Sequence, residues 1–135
     1  MAFRLDHVGL AVADLATAAD WYRGAFGLDT DLVLRVDELG LDIVMLIHPT
    51  YGYRVELLSR AGSSVGAKPA DPAAAAARHG YGHIAFEVGD VDAEFDRVVA
   101  AGARPVMAPR PAPEPGARMA FVADPEGNLI ELLHR

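Results

Sequence analysis

Asp6-His7-Val8-Gly9-Leu10-Ala11-Val12-Ala13-Asp14-Leu15 returns in the second half of the chain as Gly82-His83-Ile84-Ala85-Phe86-Glu87-Val88-Gly89-Asp90-Val91, with the apolar positions, the histidine and the final aspartate all in step. The histidines are 76 residues apart (83 − 7). A second pair of stretches, Arg54-Val55-Glu56-Leu57-Leu58-Ser59-Arg60 and Leu129-Ile130-Glu131-Leu132-Leu133-His134-Arg135, aligns at an offset of 75 (131 − 56). Two nearly equal offsets mean that one module has been duplicated, and a repeat of this kind sets the frame for the rest of the reading.

Each copy opens on an extended, β-rich stretch that runs into an aspartate, Asp14 or Asp90, whose carboxylate is suited to accept the free N–H groups at the start of a helix. The spacing predicts a helix over Leu15–Phe26, with Leu15, Ala18, Ala19, Tyr22 and Phe26 on one stripe and Gly27 as its left-handed stop. It predicts a second helix over Val91–Ala101, carrying Phe95, Val98 and Val99 and ended by Gly102. Three strands are expected after each helix. They are Asp31–Glu38, Leu41–His48 and Tyr53–Ser59, then Arg104–Met107, Ala117–Ala123 and Leu129–His134, separated by Gly- and Pro-rich turns.

Residues 1–60 thus form one βαβββ module and residues 81–135 another, with a linker over 61–80 in which Asp71-Pro72 starts a short alanine-rich helix ending near Gly80. One module is too small to bury both faces of its sheet. The expectation is an α+β fold: one domain over residues 1–135, in which the paired modules build a curved, cupped mixed sheet with helices on its outer face.

Composition narrows the function. At 135 residues with 52% apolar and 23% charged side chains, the chain suits one folded domain. It has no cysteine, which removes disulfides, thiolate metal sites and thiol nucleophiles, so a metal must be held by imidazole and carboxylate. A net charge of −7 leaves no basic face for nucleic acid, and small molecules are the expected partners. No segment reads as a secretion signal or a membrane span, so the cytoplasm is the expected address.

Side chains on a strand alternate between faces. His7 therefore shares a face with Gly9 and Ala11, small residues that leave room beside it, while Val8, Leu10 and Val12 point the other way. His83 stands in the same relation to Ala85. Glu56 lies between Val55 and Leu57, and Glu131 between Ile130 and Leu132, so each carboxylate faces away from its aliphatic neighbours. A lone histidine on a strand is usually structural, and a lone glutamate is usually solvated. Here the same spacing recurs, 49 residues (56 − 7) and 48 (131 − 83), and an unpaired buried carboxylate is costly.

His7, Glu56, His83 and Glu131 are thus the candidate ligands of one divalent cation, with zinc, nickel, cobalt, manganese and iron all suited to two imidazoles and two carboxylates. Such an ion can act as a Lewis acid on a carbonyl. The remaining histidines, His48, His79 and His134, read as surface residues. Glu87 reads as a rim carboxylate, and Asp6, assigned by alternation to the face opposite His7, as an ordinary polar residue. Arg54, Arg110 and Arg118 are candidate receptors for a carboxylate or phosphate.

Across nearly its whole length the sequence resembles the vicinal oxygen chelate superfamily, which includes glyoxalase I, methylmalonyl-CoA epimerase, extradiol dioxygenases and bleomycin-binding proteins. The resemblance rests on Asp6-His7-Val8-Gly9-Leu10-Ala11-Val12 with Asp14, on Trp21-Tyr22 and Phe26-Gly27-Leu28, on Gly82-His83-Ile84-Ala85-Phe86, and on Asp124-Pro125-Glu126-Gly127-Asn128-Leu129-Ile130-Glu131. It implies paired βαβββ modules and the same four ligands.

The fourth ligand, Glu56, matches the glyoxalase I and epimerase groups, whereas the dioxygenases and fosfomycin-resistance enzymes use two histidines and one glutamate. By resemblance, then, the chain is a metal-dependent lyase or isomerase. A base, Glu131 or Glu56, removes a carbon-bound proton from a small carbonyl substrate, thiol adducts and thioesters included, to give an enediolate. The alternatives are an extradiol-type dioxygenase on iron and a metal-free small-molecule binding protein. The resemblance also implies an isologous homodimer. No set of residues matches a glutathione-carboxylate site.

Overall fold

The structure, a computed structural model, describes residues 2–135 and divides into two compact units between Val65 and Gly66, within the stretch read as linker. The first unit runs β1 (His7–Ala11), α1 (Leu15–Phe26), β2 (Asp29–Val36), a 3-10 turn (Asp37–Leu39), β3 (Leu41–Ile47) and β4 (Arg54–Arg60). Its mixed sheet has the order β1-β4-β3-β2, with β1 parallel to β4 and the other pairs antiparallel. The second unit runs α2 (Pro72–Ala76), β5 (Ile84–Glu87), α3 (Val91–Ala100), β6 (Arg104–Pro111), β7 (Arg118–Ala123) and β8 (Leu129–His134). Its sheet repeats the pattern as β5-β8-β7-β6, with β5 parallel to β8. Both units are therefore the expected βαβββ module.

The helices begin where the aspartates place them. Asp14 accepts from the Thr17 amide at 3.0 Å and from the Thr17 hydroxyl at 2.8 Å, and Asp90 accepts from the Ala93 amide at 3.0 Å. The Thr17 bonds hold the Asp14 carboxyl below its ordinary range. Gly27 ends α1 with φ +65°, a conformation that an L side chain adopts at a cost. The buried stripe of α1 is Ala18, Ala19, Tyr22 and Ala25. Phe26 sits at the edge of the stripe and packs against Tyr22 and Trp21.

Most boundaries fall within a residue of the expectation, and three elements differ by more. The strand expected over Asp31–Glu38 starts earlier and gives way to the 3-10 turn at Asp37. The linker helix is only five residues long. Strand β6 runs on to Pro111 through Pro105 and Pro109, although proline cannot donate to a ladder. It is an edge strand bonded only to β7, and its register shifts between Pro105 and Met107 and again between Met107 and Arg110, so the prolines fall where donors are not required.

Helix α1 packs over β3 and β4, and α3 over β6, β7 and β8. Under them lie Leu46, Val55 and Leu57 in the first unit and Val122, Ile130 and Leu132 in the second, all essentially inaccessible. Val8 is exposed although alternation assigns it to the packed face, because β1 is an edge strand beyond the main footprint of α1. Leu57 pairs with Leu10 on one side and Val44 on the other. Leu57→Ala should therefore cost about 2–5 kcal/mol. It would appear as a lower urea midpoint at unchanged m-value, and a loss below about 1 kcal/mol would contradict this packing.

Candidate metal centre

The alternation on β4 and β8 has the predicted consequence. Val55, Leu57, Ile130 and Leu132 are buried, whereas the intervening glutamates keep side-chain exposures of 21% (Glu56) and 16% (Glu131) on the opposite face. Gly9 lies beside Glu56 in the parallel pair and Met45 beside it in the antiparallel pair. Ala85 and Phe121 flank Glu131 in the same way. A Cβ on Gly9 would stand 3.4 Å from Oε1 of Glu56, so the glycine leaves that carboxylate its space.

Each histidine meets the glutamate of its own unit. His7 Nε2 lies 3.8 Å from Glu56 Oε2, and His83 Nε2 lies 3.1 Å from Glu131 Oε2; both imidazoles are 37% exposed. The His83 ring also meets Phe121 edge to face, with centroids 5.2 Å apart. Each unit thus brings one imidazole and one carboxylate together on the sheet face turned away from its helix, beside apolar neighbours such as Met45 and Phe121. Among the described residues, no group of three or more His, Asp or Glu side chains able to hold a metal is present, so what the structure brings together are two separate imidazole–carboxylate pairs, one in each unit.

Asp6 requires a correction. Its carboxylate does not act apart from His7: Oδ1 lies 2.8 Å from His7 Nδ1. The alternation argument failed because β1 begins at His7, which leaves Asp6 outside the strand. Asp6 Oδ2 in turn lies 3.5 Å from Arg54 Nη1, and Arg54 Nε donates to Asp31 Oδ2 at 2.9 Å. The hydrogen bond with His7, aided by the charge of Arg54, holds the Asp6 carboxyl below the ordinary carboxylate range. The bond to Asp31, with the charges of Asp31 and Asp6, raises Arg54.

The other candidates have local roles. His48 is half-buried rather than on the surface; its Nδ1 accepts from the Thr50 and Tyr51 amides at 3.2 Å each, and its ring lies against Tyr51 and Tyr53. His134 Nδ1 lies 2.8 Å from the Val88 carbonyl, and His79 and Glu87 are exposed. Arg54 is occupied as above. Arg118 forks onto Asp92 at 2.5 and 2.7 Å, which lowers the Asp92 pKa and raises that of Arg118.

Asp124, which the sequence reading did not single out, is buried and accepts from the amides of Glu126 and Asn128 and from the Asn128 side chain. It shapes the turn that delivers β8, and with it Glu131. The Asp-Pro-Glu-Gly-Asn run was the available signal, since aspartate at the first position of a turn bonds to the amides that follow.

Comparison with known proteins agrees with this architecture. A family model described as the Glyoxalase/Bleomycin resistance protein/Dioxygenase superfamily matches residues 4–132. An ethylmalonyl-CoA/methylmalonyl-CoA epimerase of Cereibacter sphaeroides is 34% identical over 104 residues, which cover 75% of this chain and 72% of the relative. A probable lactoylglutathione lyase of Vibrio cholerae is 30% identical over 135 residues, covering 96% of this chain and 89% of the relative. The crystal structure of glyoxalase I from Zea mays superposes with a TM-score of 0.78 at 23% identity, covering 98% of this chain but 44% of the maize chain, so this protein spans less than half of that enzyme's length.

Proposed function

This chain belongs to the glyoxalase/bleomycin resistance protein/dioxygenase superfamily, and on that premise we propose that it is a divalent-metal-dependent lyase or isomerase that moves a proton at a carbon beside a carbonyl. The observation that carries this reading is the recurrence of one pairing. In each unit a histidine Nε2 faces a glutamate Oε2, at 3.8 Å and 3.1 Å, and the glutamate stands on the opposite side of its strand from two buried aliphatic neighbours. His7, Glu56, His83 and Glu131 would together hold one cation.

The donor set suits such an ion. It offers imidazole nitrogen and carboxylate oxygen, its two negative charges balance a divalent cation, and His7 already has its second nitrogen engaged by a carboxylate, as metal-binding histidines commonly do. When bound, the cation supplies Lewis acidity toward the oxygen atoms of the substrate.

The chain itself supplies the base. Ethylmalonyl-CoA, methylmalonyl-CoA and lactoylglutathione, the compounds in the two relatives' names, are all thioesters with a carbon-bound hydrogen next to a carbonyl. Removal of that hydrogen leaves an enolate, and in a thiol adduct of a 2-oxoaldehyde it leaves an enediolate. Glu56 and Glu131 are the carboxylates placed to take the proton and return it. Return to the same carbon from the opposite side gives epimerisation, and return to the neighbouring carbon gives isomerisation.

The test is deuterium uptake. Protein loaded in turn with zinc, nickel, cobalt, manganese and ferrous ion is incubated in D2O with methylmalonyl-CoA and with the glutathione adduct of methylglyoxal, and the carbon position is followed by NMR and mass spectrometry. Metal-dependent incorporation into one of these compounds is expected. Its absence from both with every ion would overturn the reading.

A further inference from the structure

The duplicated module does not treat its two histidines alike. His7 is preceded by Asp6, whose Oδ1 lies 2.8 Å from Nδ1 of the imidazole, whereas His83 is preceded by Gly82, which has no side chain to offer. Asp6 is itself braced, because Oδ2 lies 3.5 Å from Arg54 Nη1 and Arg54 Nε is bonded to Asp31 Oδ2 at 2.9 Å. Asp31 in β2, Arg54 in β4 and Asp6 ahead of β1 thus form a chain of alternating charge that ends on one ring nitrogen.

An ionised carboxylate has no proton to give, so in the Asp6–His7 pair the imidazole must donate and Nδ1 carries the hydrogen. In the neutral ring the lone pair then stands on Nε2, the atom 3.8 Å from Glu56, too far for a hydrogen bond to it.

We infer that Asp6, clamped by Arg54 and Asp31, is a positioning residue that fixes His7 as the Nδ1–H tautomer with Nε2 available to a cation, while among the described residues His83 has no equivalent device. This rests on the metal-binding role proposed above for His7. It adds that the two halves are not equally prepared: the first half presents an oriented ligand, and the second relies on the contact of His83 with Phe121 and Glu131.

The tautomer can be read without any metal. In 15N-labelled, metal-free protein, held at a pH above the imidazole range, two-dimensional 1H–15N spectra of the rings separate Nδ1–H from Nε2–H, with H7Q and H83Q assigning the signals. His7 is expected as Nδ1–H. In D6N the positive Arg54 attracts the amide oxygen and turns the NH2 group toward Nδ1, which must then accept, so His7 is expected to switch to Nε2–H. In D6A the His7 preference should be lost. The His83 signals should be unchanged in both variants, and unchanged amide spectra would show that the fold persists.

Zinc affinity, measured by competition with a chromophoric chelator, is expected to fall about 10–100-fold in D6A and D6N, the usual cost of losing an outer partner of a ligating histidine. Wild-type His7 found as Nε2–H, or a tautomer indifferent to D6N, overturns the inference. If the tautomer behaves as described but wild-type protein binds none of the ions, the metal reading fails while the positioning role stands. If metal binds but the tautomer does not respond, the reverse holds.

Discussion

Replacement of either imidazole is expected to abolish tight metal binding altogether rather than to halve it. If His7, Glu56, His83 and Glu131 serve one cation, wild-type protein takes up one ion per chain. His7→Ala and His83→Ala should then each weaken that single site by more than the ~10–100-fold typical of outer partners. Each unit also offers a self-contained pair, with Nε2–Oε2 separations of 3.8 and 3.1 Å, so independent binding by the two units makes a different prediction. It gives two ions per chain in the wild type and one in each variant. Titration calorimetry with elemental analysis separates the two outcomes by stoichiometry, and retention of one full-strength ion in His83→Ala would refute the shared centre.

Chemical logic favours the shared centre. Two ligands leave most of a divalent ion's coordination to water, and the Irving–Williams series gives such a site little hold on anything but copper. A set of two imidazoles and two carboxylates neutralises the cation and still leaves coordination positions for a substrate. On the proposed reading, duplication would supply this set without requiring either module to evolve more than two ligands.

Much of this was legible in the sequence because the signals were local or repeated. Helix α1 was bounded correctly at Leu15 and Phe26, since Asp14 and Gly27 act through bonds and backbone angles within a few residues of each end. That Glu56 and Glu131 face away from Val55, Leu57, Ile130 and Leu132 followed from period-two alternation. Strand β6 was read too short because proline argues against a strand, and only the sheet order shows that it is an edge.

Asp6 was misread for a related reason. Alternation was applied one residue before the strand begins, and its second partner, Arg54, comes from the far end of the module. Likewise, the engagement of Arg54 with Asp31 and of Arg118 with Asp92 depends on which strands and helices become neighbours, which no local pattern records. Local pattern therefore pointed to the two imidazole–carboxylate pairs but not to the side chains that brace them.

On the proposed reading, the surroundings of the two glutamates suit them to different roles, and the largest expected rate effect follows from that difference. Glu131 lies between Ala85 and the buried Phe121, with Oε2 3.1 Å from His83, a confined position suited to a fixed ligand. Glu56 lies beside Gly9, where a Cβ would come within 3.4 Å of its Oε1, and its Oε2 is 3.8 Å from His7. Although Met45 covers its other flank, the glycine and the longer separation from its imidazole hold Glu56 less tightly than Glu131, which suits it better to collect a proton from a substrate carbon and deliver it elsewhere. Glu56→Gln keeps the shape and removes the proton acceptor. At saturating metal it is therefore expected to slow deuterium exchange by about 10²–10⁴-fold, the usual worth of a general base, while metal affinity falls as the loss of one charged ligand requires, but less than in Glu131→Gln. Glu131→Gln should lose metal and exchange together. Rates of exchange at saturating metal, compared with chelator-competition affinities for both variants, decide the matter. The opposite pattern would make Glu131 the base, and exchange within a few-fold of wild type in both variants would remove the carboxylates from the chemistry.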